Sequence, residues 1–131
     1  DREPLIPLEW RDRLHEYLGG LVQGLDGVPQ GVGGVADHVH LLVSLKPTHS
    51  VADFMRELKR HSSGWVSDQM KIRHFKWQEG YAAFTVSESS RDKVREYIAK
   101  QEEHHRTRSF REELVEFLKR CGVEYDERYL D

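Results

Sequence analysis

His38 and His40 flank a single residue, Val39, and are followed at once by Leu41-Leu42-Val43-Ser44-Leu45. Successive side chains of an extended strand point to opposite faces, so the two imidazoles project the same way. Val39, Leu41, Val43 and Leu45 then form an apolar underside suited to burial against helices. Two imidazoles side by side on a rigid strand can grip one divalent metal ion. Tyr97 and Gln101 lie four residues apart on a helical pattern, hence on one helix face, and supply a phenol and an amide oxygen. Two histidines alone leave a catalytic ion short of protein ligands; a hard ion such as Mg²⁺ or Mn²⁺ accepts an amide oxygen, so Gln101 could complete the set.

Each of these residues also has a plainer reading. Two histidines on a strand often only hydrogen-bond at a surface, and a helical tyrosine is commonly a core-edge aromatic with its hydroxyl in water. A phenol titrates near ~10, so at neutral pH it attacks only where its deprotonation is promoted or its target polarised. A metal on a phosphate oxygen would do the second and assist the first. Without a metal, the plainer reading of Tyr97 prevails.

The elements that must position these residues are readable from periodicity. Trp10, Leu14, Tyr17, Leu18, Leu21 and Leu25 recur at helical spacing and predict an amphipathic helix from Pro7 to Leu25. The glycine-rich stretch 27–34 breaks it and leads to the His38 strand. Ser50 with Asp53 opens a second helix in the manner of a capping box, with Val51, Phe54, Met55, Leu58, Ser62 and Trp65 on its inner face. Residues 75–87 read as a hairpin turning at Glu79-Gly80. Ser89 with Asp92 opens a third helix, carrying Val94, Tyr97, Ile98 and Gln101. Ser109 with Glu112 opens a fourth, with Phe110, Leu114, Phe117, Leu118 and Cys121 inward and Gly122 at its end. The order is α+β: helices packed on a small antiparallel sheet. No strand precedes the first helix in this sequence, so the first strand of such a sheet is expected to be missing from it.

The 131 residues fit one domain, spanning 1–131, with a modest core. A hydrophobic fraction of 37% against 33% charged suits a soluble protein, and no apolar run approaches the roughly 18 residues that span a bilayer. The lone Cys121 rules out an internal disulfide and a multi-thiolate zinc site, and fits a reducing, cytoplasmic setting. A net charge of −3 argues against indiscriminate nucleic-acid binding, yet between Asp53 and Lys76 six Lys/Arg face three acids. Arg56, Lys59, Arg60 and Lys76 could there meet phosphates, and Trp65, Trp77 and Tyr81 could stack bases, against the alternatives of a solvated helix face and core packing.

The segment Gly33-Gly34-Val35-Ala36-Asp37-His38-Val39-His40-Leu41-Leu42-Val43 resembles the HUH strand (U being a hydrophobic residue) of the single-tyrosine transposases, most closely the branch that includes the REP-associated tyrosine transposases. The resemblance continues through Phe54-Met55-Arg56-Glu57-Leu58-Lys59-Arg60-His61-Ser62-Ser63 and the stretches 77–87 and 94–105, and closes on Tyr125-Asp126-Glu127-Arg128-Tyr129. It runs in order over nearly the whole chain.

The resemblance implies a ferredoxin-like α+β core working as a homodimer on single-stranded DNA, often folded into a hairpin beside the cleavage site. By position His38 and His40 match the metal ligands, Tyr97 the nucleophile and Gln101 the extra ligand on the nucleophile's helix. Mg²⁺ or Mn²⁺ then polarises the scissile phosphate, and the tyrosine forms a 5′-phosphotyrosine link while freeing a 3′-hydroxyl. The competing readings are a non-catalytic hairpin DNA- or RNA-binding protein on the same fold, and a metal-binding interaction domain. Neither needs His38, His40, Tyr97 and Gln101 together.

Overall fold

The computed structural model describes residues 6–72, 75–77, 83–100 and 110–122. Helix α1 (Leu8–Gly24) leads into the antiparallel strands β1 (Val28–Val35) and β2 (His38–Ser44), followed by α2 (Val51–Met70). A 3₁₀ turn at Glu88–Ser90 then feeds α3 (Arg91–Ala99), and α4 (Phe110–Arg120) closes the described chain. The class is α+β, as the periodicity predicts.

The alternation of β2 divides the interior into two cores. Val39, Leu41, Val43 and Leu45 pack against a cluster built from Trp10, Leu14, Leu18 and Val22 of α1 and Phe54, Leu58 and Val66 of α2. Leu42 points the other way, into a cluster of Val94, Tyr97 and Ile98 of α3 with Leu114, Phe117, Leu118 and Cys121 around α4. His38 and His40 share the parity of Leu42, so they lie on the α3/α4 side of the sheet. A two-stranded hairpin is marginal in water by itself. Among the described residues, apolar packing covers both of its faces.

The helix ends follow local chemistry. Ser50 caps α2, its hydroxyl accepting from the Asp53 N–H at 3.3 Å. Gly122 takes φ +68° just past α4, a left-handed conformation glycine adopts without a Cβ penalty. The inner face of α2 runs through Phe54, Leu58, Ser62 and Val66, while Val51 is exposed and Trp65 only half-buried. Val66 therefore takes the place expected of Trp65. Trp65 instead stacks on Tyr17, with ring centroids 4.9 Å apart.

Two expectations are corrected. Residues 28–34 are a strand and not only a connector: β1 pairs with β2 from Val28↔Ser44 to Val35↔His38, with an irregularity between Pro29 and Gly31. Three glycines and a proline in eight residues hide it from β-propensity. Conversely, residues 75–77 and 83–87 carry no strand, and the Glu79-Gly80 turn with Tyr81 lies outside the described residues. The hairpin of this protein, among the described residues, is β1–β2.

Candidate active site

The two-residue turn Ala36-Asp37 delivers His38 as the first residue of β2, paired with Val35, and His40 two residues on, paired with Gly33. Their rings lie 4.8 Å apart. His38 is buried, at 5% exposure. Its Nδ1 sits 2.8 Å from Asp37 Oδ1, and its Nε2 3.7 Å from Glu113 Oε1 of α4. One ligand atom each from His38, His40 and Glu113 fall within 4.8 Å of one another, a set able to hold a metal ion.

Asp37 and Glu113 differ in what they can do to His38. A carboxylate at 2.8 Å from Nδ1 fixes the ring's orientation and favours the proton on that nitrogen, which turns the Nε2 lone pair towards the cluster. Glu113 Oε1 at 3.7 Å is too far for a hydrogen bond but suitably placed to share a cation.

Tyr97 reaches the same place from α3. Its ring centroid is 6.3 Å from that of His40 and stacks at 4.5 Å and 21° on Phe117, which itself lies 5.2 Å from His40. Tyr97 is 9% exposed. Two contacts seat α3 on the sheet. Gly33 has no side chain to hold off Ile98, and Arg95 donates from Nε to the Gln30 carbonyl (3.0 Å) and from Nη2 to Gln30 Oε1 (2.7 Å). Gln30 is where the β1 register slips, so the irregularity offers α3 both a carbonyl and an amide.

His38, His40 and Tyr97 are thus brought into one neighbourhood, whereas Gln101 lies outside the described residues. Asp37 and Glu113 are site residues that sequence reasoning misses. For Glu113 a signal exists: it stands four residues before Phe117, on the buried stripe of α4, where a carboxylate is out of place unless it binds something.

Arg56 and Arg60 of α2 are exposed but partly committed. Arg56 Nη1 meets Asp53 Oδ1 and Arg60 Nη2 meets Glu57 Oε1, each at 2.8 Å. The hydrogen bond from Arg60 holds the Glu57 carboxyl below its usual range, and Glu57 in turn raises the guanidinium. Lys59 is half-buried and Lys76 is exposed. Trp77 is engaged internally: its indole N–H donates to Ser62 Oγ at 2.8 Å, and Ser62 donates to the Leu58 carbonyl at 2.6 Å.

Fold and site together define an α+β protein that sets two strand histidines against a helix-borne tyrosine. The sequence model described as "Transposase IS200 like" matches residues 1–101, and the chain belongs to that family. Over 108 residues it is 34% identical to the ISDra2 transposase TnpA of Deinococcus radiodurans, covering 76% of each chain. It is 36% identical over 72 residues to the transposase of insertion sequence element IS200 from Salmonella typhimurium, spanning 50% of this chain but only 47% of that one. A crystal structure of a protein assigned as a transposase from Deinococcus radiodurans R1 superposes with a TM-score of 0.58 at 27% identity, over 75% of this chain and 80% of the other. The protein is a transposase. No helix among the described residues is long and apolar enough to cross a membrane.

Proposed function

We propose that this transposase cuts and rejoins single-stranded DNA next to hairpins, with Tyr97 as the nucleophile and Mg²⁺ or Mn²⁺ as the metal. The observation that carries this reading is the approach of the Tyr97 ring to the histidine pair, 6.3 Å from His40. The donors fit a divalent ion: two imidazoles and a carboxylate converge within 4.8 Å. His38 and His40 would hold it, with Gln101 as the further ligand that the family resemblance implies. When bound, the ion neutralises charge building up on the non-bridging oxygens of the scissile phosphate.

The chain's own residues do the rest. Tyr97 Oη attacks phosphorus; the new O–P bond forms as the P–O3′ bond breaks, and the 3′-oxygen leaves as a hydroxyl with the proton the phenol gives up. The DNA stays attached through a 5′-phosphotyrosine, which keeps the phosphodiester's energy for a later attack by another 3′-hydroxyl. The rigid seat of α3 on β1 holds the phenol in the histidines' neighbourhood and removes the entropy of finding it. Phe117 stacks on the ring of Tyr97 and braces it. Arg56, Lys59, Arg60 and Lys76 would track the strand's phosphates. The protein works as one domain and as a homodimer.

Incubation with hairpin-bearing single-stranded oligonucleotides and Mn²⁺, followed by a denaturing gel, tests the proposal. A covalent adduct that disappears in Tyr97→Phe is expected; equal behaviour of the two proteins overturns it. Sedimentation should return about twice the 15.4 kDa chain mass, and a monomer at micromolar concentration would remove the dimer.

A further inference from the structure

We propose that Glu113 of α4 is itself a protein ligand of the metal held by His38 and His40, so that the helix beyond the tyrosine helix closes the site. The inference rests on the reading that a divalent ion binds the histidine pair. The ligands that the family resemblance implies are His38, His40 and Gln101, and Glu113 is not among them.

Three observations converge on it. The first is burial: Glu113 is 9% exposed, on the face of α4 that also carries Phe117, so its carboxylate is held inside the fold beside the histidine strand. The second is direction. With Nδ1 of His38 turned to Asp37 at 2.8 Å, Nε2 faces Glu113 Oε1 at 3.7 Å. That separation is too long for a direct hydrogen bond and short enough for both atoms to meet one ion. The third is convergence: His40 brings another nitrogen to the same spot, with all three donor atoms inside 4.8 Å. Donors about 2.0–2.2 Å from a common ion sit roughly 3–3.5 Å from one another. A small contraction of the observed set therefore reaches ligand geometry.

A carboxylate differs from an amide at this position. It adds a full negative charge to two neutral imidazoles, strengthens the hold on the ion and leaves open positions for phosphate and nucleophile. It also ties α4, and through Phe117 the ring stacked on Tyr97, to whether the metal is bound.

Mn²⁺ affinity of the full chain, measured by titration calorimetry and by loss of the free-ion EPR signal, tests this without reference to DNA cleavage. The set is wild type, Glu113→Gln, Glu113→Ala, Gln101→Ala and His40→Ala, each checked for its circular dichroism in EDTA. Glu113→Gln keeps the side chain's size, so a merely structural role would leave its affinity unchanged. Expected are at least about tenfold weaker binding in Glu113→Ala and an intermediate loss in Glu113→Gln. Wild-type affinity in both, with binding lost in His40→Ala, overturns the role of Glu113 and leaves the histidine site standing. So does a loss confined to Gln101→Ala and His40→Ala. Wild-type affinity in His40→Ala as well would remove the histidine site and Glu113 with it.

Discussion

Gly33 of β1 lies so close to Ile98 of α3 that a Cβ at position 33 would run into the Ile98 carbonyl oxygen and come within 2.8 Å of its Cγ2. Gly33 is also the β1 partner of His40, and Tyr97 is the neighbour of Ile98. One absent methyl group therefore sets the distance between the strand that carries the imidazoles and the helix that carries the phenol.

Gly33→Ala should push α3 away from the sheet, because the atom it meets is backbone and cannot rotate aside. Overpacking of this kind costs about 1–3 kcal/mol. The expected outcome is a lower denaturation midpoint together with loss of any Tyr97-dependent DNA adduct. Gly20→Ala is the control, since a Cβ there meets nothing within 4 Å. A Gly33→Ala protein as stable as Gly20→Ala would contradict the close packing described.

The seating of α4 can be read through its one thiol. Cys121 is buried just beyond α4, and burial pushes its thiol up, against weaker downward pulls from Lys93 and Arg120. Each unit by which the pKa rises lowers the thiolate fraction, and with it the rate, ~tenfold at pH well below the pKa. Reaction with a chromogenic disulfide at pH 8 should be slow in the native protein and fast after denaturation. Equal rates would mean that α4 is not packed as found.

Much of this is legible in the chain. The alternation from His38 to Leu45 predicts both which residues are buried against helices and that the imidazoles lie on the other side, because period two is a property of the strand alone. The stripes of α1 and α4 and most of that of α2 are visible from helical spacing, which is equally local. What stays hidden depends on partners. β1 reads as a connector because Gly33 answers to the approach of Ile98, far along the chain, and not to strand propensity. Trp77 invites a stacking role until its N–H is seen bound to Ser62. Glu113 shares the stripe of Phe117, yet only the approach of His38, far along the chain, shows what its carboxylate meets.

Asp37 is expected to act through His38. Its carboxylate fixes the ring from the far side at 2.8 Å, and partners of this kind typically contribute about 10–100-fold to metal affinity. Asp37→Asn keeps the shape and removes the charge, so Mn²⁺ binding should weaken about tenfold while the melting temperature in EDTA holds. An unchanged dissociation constant would show that the contact only closes the β1–β2 turn.

The basic face of α2 carries its own counter-charges, which gives the DNA proposal a test in both directions. Glu57 is kept ionised by Arg60, its carboxyl lying below the usual range. A depressed folded pKa means that the pair's small contribution is fully present above the unfolded carboxylate value and fades as pH falls through the lower folded one. At neutral pH Arg60 is therefore partly occupied. Glu57→Gln should release it and tighten binding to a single-stranded oligonucleotide. Arg56→Gln with Arg60→Gln should weaken binding and flatten its salt dependence, by about 0.7 in the log–log slope for each phosphate no longer neutralised. Filter-binding titrations from low to moderate salt read both effects. If the arginine pair can be removed with no change in slope, the strand runs elsewhere and this helix face is solvated.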